Sequence, residues 1–142
     1  MIVQSPQESV VKLDRLYVKE LSFWRTEAPI DSASLTVEFQ RNYRFNETET
    51  QCTVELTCTV KDEDDSLLHT DVVICGLFSC EEEDRETRLT LLKKNTLAIL
   101  FPYLRSQICL ITSQPDLSPI TLPTMNINAV FETTAEGRIE GE

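Results

Sequence analysis

Apolar and polar residues alternate between Ser34 and Phe45: Leu35, Val37, Phe39, Tyr43 and Phe45 take odd positions, and Thr36, Glu38, Gln40, Asn42 and Arg44 take even ones. Alternation with period two puts one set of side chains on each face of a strand, so a half-buried strand is predicted here. After a polar connection at residues 46–51 the pattern resumes, with Cys52, Val54, Leu56, Cys58 and Val60 apolar against Thr53, Glu55, Thr57, Thr59 and Lys61. That connection is short enough for a hairpin. A second polar connection, KDEDDS at 61–66, leads into residues 67–80, whose centre VVICGLF is apolar on both parities. A strand without a polar face is predicted to be central or covered on both sides.

Residues 11–24 fit two periods. Leu13, Leu16, Tyr17, Leu21 and Trp24 make a helical stripe, and they also make a strand if the alternation slips between Leu13 and Leu16 and again between Val18 and Leu21. Each slip would be a bulge that adds one residue and restores the register. Periodicity alone decides neither way. From residue 81 the composition changes: Glu81, Glu82, Glu83 and Asp84 precede RETRLTLLKK, so a short helix is predicted with acids at its start and bases at its end, as its dipole favours. Asn95 is placed to cap a second, longer helix, whose face Leu97, Phe101, Leu104, Ile108 and Ile111 ends before Gln114 and Pro115. Strands followed by helices give an α+β class. The chain reads as one domain over residues 1–131, and the acidic tail 132–142 is expected to be disordered because it offers no apolar face.

Between Asn95 and Phe131 the apolar pattern is broken by prolines. Pro102 falls inside the helical pattern, where it removes a donor and crowds the carbonyl four residues back, so the helix must start close to it or bend there. Pro115, Pro119 and Pro123 hold Leu117, Ile120, Leu122 and Met125 in an extended run with no polar alternation. Such a run wants a partner surface, which points to gripping rather than catalysis.

Charge and chemistry narrow this further. The net charge of −11 and a pI near 4.5 repel phosphate backbones and anionic leaflets, so no nucleic-acid partner is expected. The segment MIVQSPQESV has neither a basic flank nor an apolar core, and no apolar run approaches the length of a membrane span, so a cytoplasmic protein without membrane insertion is expected. Five cysteines form no C-x-x-C pair and are read as reduced core thiols. His69 is the only histidine, which excludes a His-based metal cluster, and a pair of His69 with Cys75 or Cys80 lacks an oxyanion loop or nucleophile elbow. The acidic runs 62–65 and 81–84 lack the spacing and glycine of a calcium loop and are read as a solvated hairpin tip and a helix start. The chain is therefore read as a non-enzyme with no catalytic residue, metal or cofactor.

ILFPYLR at 99–105, followed by a helix, a proline-containing turn and LPTMNINAVF at 122–131, resembles the SecB-type protein-export chaperones in order and spacing. In that family an I-L-F-P-Y-A-R segment opens the long helix, and an L-A-P-V-N-F-D-A-L-F-like segment follows the connecting loop. RLYVKELSF at 15–23 looks like the family's first strand, and GLFS at 76–79 looks like the G-I-F-S of its fourth. The likeness covers most of residues 13–131. It implies that the ambiguous first segment is a strand, and hence a four-stranded antiparallel sheet with a long Pro-containing helix and a short helix packed on one face. It also implies a homo-dimer or homo-tetramer and an ATP-independent holdase, which binds unfolded or pre-secretory polypeptides in an apolar groove between helices, connecting loop and sheet. The peptide-binding residues on this reading are Trp24, Ile30, Leu117, Ile120, Leu122 and Met125, with Phe101 and Leu104 as a floor, although a stripe at helical spacing is more often core. Glu20 and Asp71 keep acids on the face through which the family meets the SecA translocase motor.

The chain departs from the family pattern in three places. The loop at 25–34 is short and lacks the aromatic insertion that walls the groove of the export chaperones. Trp24 stands where the contact face for SecA tends to carry an acid, and nothing after Phe131 forms the family's C-terminal helix. The last two weigh against SecA as a partner. Two alternatives remain: a specialised chaperone for one client, such as a toxin–antitoxin partner, and an oligomeric structural or regulatory domain with no free groove.

Overall fold

The computed structural model describes residues 11–133 and 138–139. Four long antiparallel strands, β1 (Val11–Arg25), β2 (Leu35–Phe45), β3 (Gln51–Asp62) and β4 (Leu68–Cys80), form the sheet, and a two-residue β5 (Arg138–Ile139) joins one edge in the order β1-β4-β3-β2-β5. The first segment is thus a strand. Its register shifts between Leu13 and Arg15 and between Val18 and Glu20, within the two stretches where the alternation slips. Each extra residue returns the apolar set to one face, so Leu13, Leu16, Leu21 and Phe23 stand opposite Phe78, Gly76, Val72 and Thr70.

β4 is central, between β1 and β3. Its residues Leu68, Val72, Ile74 and Phe78 are buried together with Cys52, Val54, Leu56, Cys58 and Val60 of β3 and Leu35 and Phe39 of β2, in the sheet's share of the core. The opposite face carries Thr53, Glu55, Thr57, Thr59 and Lys61 and, among the described residues, has no helix over it. Cys75 is buried even there, between Tyr17 on one neighbouring strand and, on the other, Glu55, which pairs with Lys19 at 2.5 Å.

The two predicted helices are one continuous run: α1 (Arg85–Thr90), a π turn (Leu91–Asn95) and α2 (Thr96–Ile111). The acidic start is as expected, with Asp84 accepting from the Thr87 amide at 3.0 Å and its hydroxyl at 2.6 Å. Asn95 is not a cap: its backbone is helical, at φ −66° and ψ −31°, and its side chain makes no capping bond. The physical reason is that LLKK contains neither Gly nor Pro and propagates the helix. At the π turn three successive carbonyls find side-chain donors. Thr96 Oγ1 donates to Leu92 O at 2.7 Å, the Tyr43 hydroxyl to Lys93 O at 2.5 Å, and Asn128 Nδ2 to Lys94 O at 2.9 Å. Pro102 lies inside α2 without ending it, and the irregular turn falls upstream of the proline.

α2 presses Leu97, Leu100, Phe101, Leu104 and Ile108 onto the sheet, where Phe101 meets Phe39 edge-to-face with centroids 6.1 Å apart. A short helix, α3 (Ile127–Thr133), follows the connecting segment, with Asn126 Oδ1 accepting from the Asn128 amide at 3.1 Å. It buries Ile127 and Phe131, and the Arg41 guanidinium sits 4.6 Å from the Phe131 ring centre. Of the tail expected to be disordered, Glu132 and Thr133 complete α3 and Arg138–Ile139 pair with β2, while residues 134–137 and 140–142 lie outside the described residues.

Candidate functional site

Two connections, residues 26–31 and 112–126, are tied together by Arg25 at the end of β1. Its Nη1 donates to Asp116 O at 2.8 Å, and its Nη2 reaches both Ala28 O at 3.0 Å and Asp116 Oδ2 at 3.3 Å. Asp116 has φ 60°, in the left-handed region where a short polar residue is tolerated, so Pro115 and Asp116 turn the chain back along α2. Two further bonds hold the returning segment to the helix. The Thr112 hydroxyl donates to Ile108 O at 2.7 Å and accepts from the Ile120 amide at 2.8 Å, and Arg105 Nε donates to Leu122 O at 2.5 Å.

This arrangement brings together most of the residues predicted for the groove. Leu122 is buried as the anchor of the segment, with Phe101 and Leu104 buried in the core. Ile30, Leu117, Ile120 and Met125 are half-buried and packed against that core, so part of each apolar side chain still faces solvent. Sequence reasoning missed the residues that hold the segment in place, Arg25, Arg105 and Thr112. Each acts through a bond to the backbone of another segment, for which the sequence carries no periodic signal.

Trp24 stands apart. It is 51% exposed and opposite His69, hence on the uncovered sheet face. The bulge between Val18 and Glu20 sets this parity, sending Phe23 toward the helices and Trp24 away. Glu20 and Asp71 belong to the same uncovered face, Glu20 opposite Val73 and Asp71 opposite Ser22. Asp71 is already engaged, accepting from Thr59 Oγ1 at 2.6 Å and lying 2.8 Å from His69 Nε2, while His69 Nδ1 lies 2.8 Å from Asp65.

Both ring nitrogens of His69 therefore face carboxylates. Cys75 is six residues farther along the strand, on the order of 20 Å away, so the fold does not bring this thiol and the imidazole together. Burial pushes the Cys52 thiol up to about 11 and Cys58 higher still, away from thiolate character. The hydrogen bond to Asp65 raises the His69 pKa, burial opposes it, and Asp71 adds to the rise. A raised folded value means that this stabilisation is complete below the ordinary imidazole value of about 6.5 and is lost as pH rises through the folded one. His69→Asn should accordingly flatten the loss of stability as pH rises above about 6.5. Urea midpoints across that range are the check, and parallel profiles for the two chains would discard it.

Residues 4–138 match the family model described as preprotein translocase subunit SecB. The protein-export protein SecB of Acidithiobacillus ferrooxidans is 27% identical over 134 residues, spanning 89% of this chain and 90% of that one. An uncharacterised protein of Methanocaldococcus jannaschii is 26% identical over 144 residues, spanning 97% and 93%. Among solved structures, the Mycobacterium tuberculosis SecB-like chaperone in complex with a ChAD peptide from the HigA1 antitoxin superposes with a TM-score of 0.64 at 18% identity. The match covers 81% of this chain and 90% of that one, and it establishes a shared fold.

Proposed function

This chain belongs to the SecB family, and from that membership we propose that it is an ATP-independent holdase. It keeps unfolded or pre-secretory polypeptides from aggregating by holding their apolar segments against residues 26–31 and 112–126. The observation that carries this reading is the fastened connecting segment. Polar bonds from Arg25, Thr112 and Arg105 fix its backbone, while Ile30, Leu117, Ile120 and Met125 keep apolar surface in solvent over a floor that includes Leu122, Phe101 and Leu104. Covering ~400 Å² of apolar client here gives on the order of 10 kcal/mol gross. Ordering the client and losing its translational freedom offset much of that, which leaves the modest affinity a holdase needs to release its cargo.

The proposal extends to a cytoplasmic homo-dimer or homo-tetramer with unfolded polypeptides as partners. SecA docking through Glu20 and Asp71 takes second place, because Asp71 is bonded to Thr59 and His69 and Trp24 stands beside it. The same altered face makes a dedicated client the second reading, almost level with general export; the peptide bound in the Mycobacterium tuberculosis structure suits it.

Suppression of thermal aggregation of an unfolded client, without nucleotide, tests the reading. The native chain should suppress at stoichiometric amounts, and Ile120→Ser combined with Met125→Ser should require about fivefold more protein, the equivalent of losing ~1 kcal/mol of apolar contact. No suppression by the native chain at stoichiometric excess would reject the holdase reading. Loss of activity in Trp24→Ser alone would move the site to the uncovered sheet face.

A further inference from the structure

The two edges of the sheet are finished differently. β1 carries two bulges and the charges Lys12, Asp14, Arg15, Lys19 and Glu20. β2 also carries charges, Glu38, Arg41 and Arg44, so the difference lies in the bulges, which twist an edge. β2 is regular: it pairs with β3 without a register shift from Leu35 opposite Asp62 to Phe45 opposite Cys52, and it contains no proline.

A strand does sit on the outer edge of β2, and it comes from the chain's own tail. Ile139 is opposite Val37 and Arg138 opposite Glu38, antiparallel. From Phe39 to Phe45 no partner strand occupies this edge among the described residues, which leaves about 23 Å of backbone at ~3.3 Å per residue. The occupied end adjoins the proposed client surface. The 3₁₀ turn Ser32–Ser34, which leads directly into β2, follows the connection that holds Ile30, and Phe39 packs on Phe101.

We propose that the outer edge of β2 is a strand-addition site for an extended, apolar segment of unfolded polypeptide, and that Arg138–Ile139 occupies in cis the backbone positions such a client takes. The inference rests on the holdase reading and adds a binding mode to it. Backbone hydrogen bonds from a sheet edge are indifferent to client sequence, and alternate client side chains then fall on the helix side of the sheet. A tail tethered to the same chain competes at high effective concentration, and it lowers the apparent client affinity by the fraction of molecules whose edge is open. A pairing only two residues long is a competitor that a longer client strand displaces.

The test compares the full chain with one ending at Thr133, using a fluorescent peptide of about ten residues that alternates valine and lysine. About 0.5 M salt screens its attraction to a chain of net charge −11. Removing the tail should tighten binding about three- to tenfold. Methylating all of the peptide's interior backbone nitrogens should weaken binding to both chains about tenfold or more, since whichever edge faces β2 then loses its amide donors. Hydrogen exchange in residues 39–45 should slow when the unmodified peptide binds.

Equal or weaker binding by the shortened chain overturns the competition. Equal binding of the methylated peptide to the full chain overturns strand addition even if the shortened chain is unstable. In both cases the holdase reading survives, provided that the full chain still suppresses client aggregation. Failure of the unmodified peptide to bind either chain, together with no suppression, removes both.

Discussion

Replacing Asp62 by alanine should lower the unfolding free energy by about 2–4 kcal/mol, because one carboxylate organises the whole β3–β4 turn. Its Oδ1 accepts from the Leu67 amide at 2.8 Å and the Leu68 amide at 2.9 Å, and its Oδ2 accepts from the Ser66 amide at 3.1 Å. Asp62 and Leu68 are both buried, so the Leu68 amide has no water to turn to when the carboxylate is gone. The turn also places Asp65 at φ 52°, a conformation then held only by the bond from its amide to Asp62 O and by its contact with His69. Burial would raise the Asp62 carboxyl, but the amides of Leu68, Ser66, Leu67 and Asp62 itself outweigh it and hold the pKa at about 2. A depressed folded value means that the stabilisation is present above the ordinary carboxylate value of about 3.9 and is lost as pH falls toward the folded one. The gap in urea midpoint between the native chain and Asp62→Asn should therefore shrink between about pH 4 and about pH 2. If Asp62→Ala stayed within about 0.5 kcal/mol of the native chain at neutral pH, the turn would be held by its strands alone.

Asp62 also shows why part of this molecule was hidden in its sequence. Within KDEDDS it looks like one solvated acid among several, yet it continues the even parity of Cys52, Val54, Leu56, Cys58 and Val60, and that parity marks it as inward-facing. The long strands were legible because alternation reports burial directly. The bulges of β1 were legible as slips, but the slips alone did not assign Trp24 to a face, since that depends on which residue is the extra one. The junction at Leu91–Asn95 was read as a break because Asn is a common cap. LLKK propagates the helix through it instead, and Tyr43 and Asn128, distant side chains without a local signal, supply donors to the carbonyls of the π turn. Three prolines announced an extended connection. What fastens it, Arg25 to Asp116 and Arg105 to Leu122, is a set of long-range side-chain bonds to backbone oxygens that leave no periodic trace. α3 was missed because Ile127 and Phe131, one turn apart, are too few to establish a period.

Gly76→Val should be more damaging still, costing about 3 kcal/mol or more and lowering the melting temperature by roughly 10 °C. Gly76 lies in the central strand beneath α2, opposite Val54 and Leu16. A Cβ there would stand 2.6 Å from Phe78 Cε2 and 2.8 Å from Leu100 Cδ2. Both neighbours are buried, so neither can swing into solvent, and relief requires α2 to lift from the sheet. Alanine recovers about 0.4–1 kcal/mol by restricting the unfolded chain, which is less than the ~1–3 kcal/mol cost of overpacking, so Gly76→Ala should also destabilise, though by less. Leu100's share of the clash can be measured by a double-mutant cycle. Leu100→Ala alone should cost about 2–5 kcal/mol by opening a cavity, and in the Gly76→Val background it should cost ~1–3 kcal/mol less because valine fills that space. Simple additivity would show that Phe78, not the helix, sets the limit. Coupling has a functional corollary, since Thr112 and Arg105 hang the connecting segment from the same helix. A lifted α2 moves the proposed client surface with it, so on the holdase reading Gly76→Val should lose aggregation suppression below its own melting temperature, and adding Leu100→Ala should restore part of both.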